Sequence, residues 1–512
     1  MPKRPNILLL YTDQQRYDTV HSLGNAVIQT PTLDRLANEG AAFTSAYCAS
    51  PVCISSRCSL LLGQYAHETG CEDNIPMPQD RVSLMQLLSE AGYQTHGVVK
   101  MHFMPDSWNL WGFDSRDYSE EGGFNPEDDF CKSLSNAGYQ HVLNPYGIRS
   151  EYYYIPQPSQ LPQRLHHSWW VADKSLDFLA RRKKDQPFFL WSSFIKPHPP
   201  FENPYPWNRL YKPVEMPWPF LPPRYEELQT HWNRVQNRYK YKDQGFDGNI
   251  ARATRAAYFA AISFVDYNAG RILARLEEEG ELENTLVIYT SDHGEFLGDY
   301  GCWGKRSMLD PAARVPLLAR YPERFAAGQQ VTKVASAVDV LPTCLEAAGL
   351  RAPDDRSGVD LALLARGEAD REAVLCQFQT EGKGLYALIT DEWKYIWSAP
   401  DQKEWLLRRA DAQVEATNLA GHPVYQPVVN ALRAQLTGRL SQDGYTKVLD
   451  GQGWRRYPVL EVSETPDAGQ LYQEGGDVEP MLPEGYTQRC NPYKGFVPSD
   501  LNFGTRPAGK KQ

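Results

Sequence analysis

The chain has 512 residues, with 53 Lys and Arg against 63 Asp and Glu, a formal net charge of -10 and a pI near 5.7. Such a length can bury one large core and a smaller one. No basic excess exists to neutralise phosphates over a wide face, which excludes a general nucleic-acid binder.

The opening, MPKRPNILLLYTDQQ, carries an apolar stretch too short for a signal peptide or a membrane span. Nine cysteines, an odd number running from Cys48 to Cys490, fit reduced thiols better than a disulfide framework. The expectation is a cytoplasmic protein without a membrane partner. Asn6 to Tyr11, NILLLY, is apolar on both faces and predicts a central strand of a parallel sheet, with Asp13 and Gln14 at its carboxyl end. Thr30 to Phe43 opens with a threonine cap and a proline at the first helical position and predicts a helix stopped at Gly40. Val82 to Ala91 predicts another. The strand Thr95 to Val99 delivers Lys100 and His102. Residues 104–165 are rich in Gly, Asn, Asp, Tyr and Pro, lack sustained periodicity and read as an insertion walling a pocket.

Trp169 to Arg182 predicts a helix, and Pro187 to Phe194 a buried strand that runs into His198. Pro199 to Asp247 reads as a long loop, dense in Pro, Trp and Tyr, of a kind that covers a site or an interface. Its aromatics suit an aryl, sugar or quaternary ammonium group. A helix from Ile250 to about Glu279 precedes the strand Leu286 to Thr290, followed at once by Asp292 and His293. Val315 to Ala319 and a helix around Val340 to Ala348 complete a large domain, residues 1–356. A smaller α+β domain follows at 357–450, with an antiparallel strand pair in Leu385 to Ile396 and a helix at Gln426 to Leu440. Residues 451–512 read as a loose tail or, as their aromatics favour, an extended arm that packs on a neighbouring subunit.

The stretch Ser50 to Gly70, SPVCISSRCSLLLGQYAHETG, runs from a polar loop straight into an apolar helix. It puts a nucleophile precursor, Cys53, with Ser55, Ser56 and Arg57 in one turn, where unpaired N–H groups favour anions. A buried free thiol at an ordinary helix start is the simpler alternative. Four strand ends deliver Asp13 and Gln14, Lys100 and His102, His198, and Asp292 and His293, and ligands bind at that edge of open α/β sheets. Asp13, Gln14, Asp292 and His293 form an oxygen-rich set with one nitrogen, suited to Ca²⁺, Mn²⁺ or Mg²⁺ rather than to structural zinc. Asp292 alone also reads as a turn cap.

The stretch resembles the signature of the formylglycine-dependent sulfatases, C-x-P-S-R-x-S-L-L-T-G, at Cys53, Ser56, Arg57, Ser59, Leu60, Leu61 and Gly63, with Ser55 in place of proline. SDHGEFLGDYGCWGK at 291–305, Lys100 and His102 (with Val99 for the family's glycine) and KPHPPF around His198 resemble further family blocks. The resemblance implies an alkaline-phosphatase-like α/β/α sandwich with a mostly parallel sheet, and hydrolysis of a sulfate ester by a formylglycine hydrate derived from Cys53. It implies a divalent metal on Asp13, Gln14, Asp292, His293 and modified Cys53, and a formylglycine-generating or anaerobic maturation enzyme as partner. Arg57 would hold the hydrate, Lys100, His198 and Lys305 would bind the sulfate, His198 and Lys305 would protonate the leaving oxygen, and His102 would act as base. Small aryl, sugar or choline sulfate esters are the expected substrates, and a homodimer or homotetramer through the C-terminal arm the expected assembly. Two alternatives remain open. One is phosphonate monoester or phosphodiester hydrolysis, where Asn74 resembles a phosphate-contacting asparagine or else caps a turn. The other is a binding protein with unmodified Cys53.

Overall fold

A computed structural model describes residues 4–149, 153–239, 247–409 and 415–462. Eight strands form the main sheet: β1 (Asn6–Asp13), β2 (Ala41–Phe43), β3 (Gln94–Val99), β4 (Ser115–Asp117), β5 (Phe188–Pro197), β6 (Thr285–Ser291), β7 (Leu317–Arg320) and β8 (Gln329–Val331). Their order is β8-β2-β7-β6-β1-β5-β3-β4. From β6 to β4 all neighbours are parallel. Only β7 runs antiparallel to its neighbours β6 and β2.

Every residue of β1 is buried, because helices cover both faces. Ile7, Leu9 and Tyr11 point into one layer with α2 (Cys53–Leu62) and the helix Val340–Ala347. Leu8 and Leu10 point into the other, with α1 (Pro31–Glu39) and the helices His167–Arg181 and Gly248–Glu278. The period of two thus sends alternate side chains of one strand to two cores. A second sheet, antiparallel throughout, joins Ala373–Phe378, Leu385–Thr390, Trp393–Ser398 and Lys403–Arg408. Helix Gln426–Gln442 lies on one face of it, through Val429, Leu432 and Leu436. The other face, with Val374, Cys376 and Leu407, belongs to the same core as Ile7 and Leu9.

Sequence and structure part in several places. The helix begun at Pro31 stops at Glu39, and Ala41–Phe43 turns extended to become β2. The insertion holds a helix, Asp129–Asn136, capped by the Asp128 carboxylate. The long loop holds another, His231–Tyr239. Its aromatics do not line the cavity at Cys53: Phe201 and Tyr211 pack on the Gly248–Glu278 helix, and Trp218 is exposed. Most of the expected arm, residues 463–512, lies outside the described residues. Among those described, no helix is long and apolar enough to cross a membrane, and the eight cysteines are unbridged.

Candidate active site

Cys53 is the first residue of α2, after an extended Val52. No side chain at the capping position serves that turn; Asn74 does so from outside, accepting the Ile54 N–H on Oδ1 at 3.1 Å. Asn74 therefore caps the helix that Cys53 opens rather than a turn in its own segment. Gly63 closes α2 at φ 63, where a side chain would be strained and a Cβ would meet Leu341 at 3.2 Å.

The parallel strands bring the expected residues together. Asp13 ends β1, and Gln14 follows at φ 68. Asp292 Oδ1 accepts the N–H groups of Gln14 and His293, both at 2.9 Å, so it does fix the turn while keeping its other oxygen for Arg57. Gly294 is required next, since a Cβ there would lie 2.0 Å from Pro311 O. His293 Nδ1 lies 3.1 Å from Gly294 O and Nε2 3.2 Å from Cys53 Sγ. The tautomer protonated on Nδ1 leaves Nε2 free as a ligand.

Arg57, one turn beyond Cys53, is fully buried and spends its guanidinium on four partners. These are Asp292 Oδ2 and Asp13 Oδ2, both at 3.2 Å, Lys100 O at 2.6 Å and Ser193 Oγ at 3.2 Å. Lys100 follows Val99, a β-branched residue held at φ 75, a strained conformation where the resembling family has glycine. Its ammonium lies 2.7 Å from Asp13 Oδ2 and 3.0 Å from Glu121 Oε2. Lys305 Nζ reaches Cys53 Sγ at 2.9 Å, His293 Nε2 at 3.0 Å and Gln14 Oε1 at 3.1 Å. A cavity of about 100 Å³ opens from these groups, lined also by Asn74, His102, Glu121, Tyr153, Tyr154, His198, Gln236 and Arg306.

Charge sets the protonation. Burial opposes ionisation of Cys53, but Lys305, His293 and Lys100 outweigh it and hold the thiol well below its ordinary range. Burial and Cys53 push Asp13 up, yet Lys100, His198 and Arg57 hold it below the usual carboxylate range. Asp292 stays raised, by burial first and then by the charge of Asp13. Burial would lower His198; Glu121 and Asp13 raise it instead.

The ligand atoms of Asp13, Cys53, Asp292 and His293 lie within 4.8 Å of one another. Two buried carboxylates and an imidazole nitrogen fit a divalent cation, and the cationic Lys305 already rests against His293, Gln14 and Cys53.

Several contributors escape sequence reasoning. Glu121 binds Lys100 and His198, and Glu295 fixes Gln14: its carboxylate takes the Gln14 amide N–H and the Tyr154 hydroxyl, which turns Gln14 Oε1 toward the site. Gln236 clamps the Lys305 backbone from both sides. Glu121, Tyr153 and Tyr154 come from the aperiodic insertion and Gln236 from the long loop, so no pattern marks them. Glu295 sits inside the SDHGE block and was open to recognition there.

Comparison with known proteins shows the family of the chain. The family model described as Sulfatase matches residues 5–217 and 227–350, and that of the N-sulphoglucosamine sulphohydrolase C-terminal region matches 298–442. An arylsulfatase of Clostridium perfringens is 30% identical, over 89% of this chain and 98% of its own. An N-acetylglucosamine-6-O-sulfatase of Bacteroides thetaiotaomicron is 28% identical, over 83% and 84%. The phosphonate monoester hydrolase of Agrobacterium radiobacter shares the fold, with a TM-score of 0.73 at 24% identity, over 89% of this chain and all of that one. A family model matched along most of the chain, and a relative matched nearly end to end, agree on one assignment: the chain belongs to the sulfatase family, within the alkaline phosphatase superfamily.

Proposed function

We propose that this sulfuric ester hydrolase removes sulfate from a sulfated sugar, with Cys53 oxidised to formylglycine and one divalent cation, Ca²⁺ before Mn²⁺ or Mg²⁺, held by Asp13, Gln14, Asp292 and His293. The observation that carries this is the meeting of Cys53 Sγ with Lys305 Nζ at 2.9 Å and His293 Nε2 at 3.2 Å at the floor of a small polar cavity. When present, the metal neutralises sulfate oxygens and acidifies the attacking hydroxyl. The aldehyde hydrate, in turn, supplies two hydroxyls on one carbon, so that sulfate can leave without a second attack on sulfur.

The chain's own residues do the rest. Arg57 holds the two carboxylates in place through its guanidinium and favours the ionised form of each. Lys100 and Lys305 bind the sulfate oxygens. His198, kept as imidazolium by Glu121, holds a proton for the leaving oxygen. His102 accepts a proton from the hydrate.

Substrate class follows from the lining. Among the described residues Glu121 is the one carboxylate lining the cavity, and Lys100, His198 and Arg149 already claim it. Among the described residues a choline ester would find no free counter-charge. Hydroxyl-bearing sugars suit Asn74, Tyr153 and Tyr154, and the N-acetylglucosamine-6-O-sulfatase relative supports that class.

The test is a peptide mass for the fragment holding Cys53, from protein made beside a maturation enzyme, followed by rates on sugar sulfates, aryl sulfates and a phosphonate monoester. A peptide about 18 mass units light, with sugar sulfates fastest, is expected. An unmodified thiol in active protein, or a phosphonate turned over fastest, overturns the assignment.

A further inference from the structure

Around Cys53 the cations are claimed, Lys305 by Cys53, His293 and Gln14 and the others by carboxylates. Arg57 pairs with Asp13 and Asp292, Lys100 with Asp13 and Glu121, Arg149 with Glu121, and Arg16 with Asp18 and Asp299. Arg306 differs. It follows Lys305 directly, lines the same cavity and is half-buried. Among the described residues its guanidinium has neither a carboxylate partner nor a hydrogen-bond acceptor. It rests against the ring of Phe378, 5.8 Å from the centroid, and Trp232 packs edge-on against that ring at 5.1 Å. Its backbone is anchored through an N–H bond to Pro51 O at 3.2 Å, at φ 56.

Asn74, which lines the same cavity, has spent its oxygen on the Ile54 N–H, and among the described residues its amide N–H groups have no acceptor. Both groups therefore present donors. A planar guanidinium fork on an aromatic support, beside an amide donor, is complementary to an oxyanion. Lys305 next door faces Cys53, so the oxyanion at Arg306 is distinct from the sulfate being cleaved.

We propose that Arg306 determines specificity by binding a second anionic group, a carboxylate or a further sulfate, on the sugar that carries the scissile ester. This rests on the sugar-sulfate reading above. The preferred substrate is then a dianionic sugar rather than a neutral sugar carrying one sulfate.

The experiment uses the full, matured chain and three sugars that share one scissile sulfate: the monosulfate, a disulfate and a sulfated uronic acid. Calorimetric dissociation constants and kcat/KM are measured for wild type, Arg306→Ala and Arg306→Gln, with circular dichroism confirming that each variant folds. Wild type is expected to favour at least one dianionic sugar by about tenfold or more, and both variants to lose that preference. The two dianions distinguish carboxylate from sulfate as the second group. Equal binding of all three sugars by wild type overturns the inference. So does an equal loss on all three in the variants, or no binding of any. Binding discrimination without hydrolysis would sink the sugar-sulfatase reading and leave Arg306 as an anion site; hydrolysis without discrimination would do the reverse.

Discussion

Glu121 Oε2 lies 3.0 Å from His198 Nδ1, a contact between an aperiodic insertion and the end of a central strand. Burial alone would make His198 a weaker base, but Glu121 first and Asp13 next reverse the sign and raise its pKa above the ordinary 6.5. As imidazolium, His198 can give a proton from Nε2, and that capacity is lost as pH rises through the raised pKa. Glu121→Gln removes the largest favourable charge. The alkaline limb of kcat should then move to lower pH, with a loss of about 10²-fold at pH 8 and less at pH 6. A pH–rate profile that falls uniformly, with its alkaline limb unmoved, would show that Glu121 only supports the fold.

Arg57 should be the residue whose removal the apo protein tolerates least. Its side chain is wholly buried, and Asp13 and Asp292 both depend on it. Arg57→Ala leaves two carboxylates with less compensation, at a cost of about 3–5 kcal/mol in urea unfolding. Arg57→Lys should lose less, since it keeps the charge but not the fork. Saturating Ca²⁺ neutralises the same carboxylates in the folded state, so it should narrow the gap between Arg57→Ala and wild type. A gap that Ca²⁺ does not change would remove Asp13 and Asp292 from the metal site.

Ser55 and Leu62 both depart from the family's cysteine motif, Ser55 at the proline, and its position says how costly the family residue would be. It is the third residue of α2, so its N–H has no carbonyl partner inside the helix, and proline is tolerated there. Its hydroxyl donates to Cys71 O, a bond worth about 1 kcal/mol. Ser55→Pro should therefore fold, melt slightly lower and carry more formylglycine when made beside a maturation enzyme. Peptide mass spectrometry reads the converted fraction. An unchanged fraction would mean that Ser55 is read as well as proline.

The strand-end residues were legible for a physical reason. A doubly covered parallel strand must be continuously apolar, so the first polar residue after it marks the sheet's ligand edge, as with Asp13 after NILLLYT and Asp292 after LVIYTS. Glu121 and Tyr154 obey no such rule. They arrive from a segment whose path is set by long-range packing, Tyr154 against Phe201 and Trp303, Glu121 by its pairing with Lys100 and His198. Short strands such as Ser115–Asp117 were equally silent, because three residues cannot display a period. The aromatic loop misled for the opposite reason. Its Trp and Tyr residues are conspicuous in composition, but Trp207 lies over Phe264 of the long helix, and Tyr211 bonds Ser263 there.

Lys394 joins the second sheet to the segment that carries Lys305. Its ammonium is fully buried, donating to Met308 O at 2.8 Å and Asp310 Oδ1 at 2.6 Å and pairing with Glu415. Burial raises Asp310, yet Lys394, Arg314 and Arg409 hold it below the carboxylate range, while burial and Asp310 push Glu415 up to about 7. Lys394→Met keeps the volume and deletes the charge, so both carboxyls must rise further. A carboxyl whose folded pKa exceeds its unfolded value contributes stability at low pH and loses it as pH climbs through the folded value. The variant should therefore be destabilised by about 3–5 kcal/mol at pH 8 and by visibly less at pH 5, where the carboxyls take up protons. Denaturant unfolding at the two pH values measures this directly. A loss equal at both would assign the role of Lys394 to packing, and the carboxylates around it would need another source of balance.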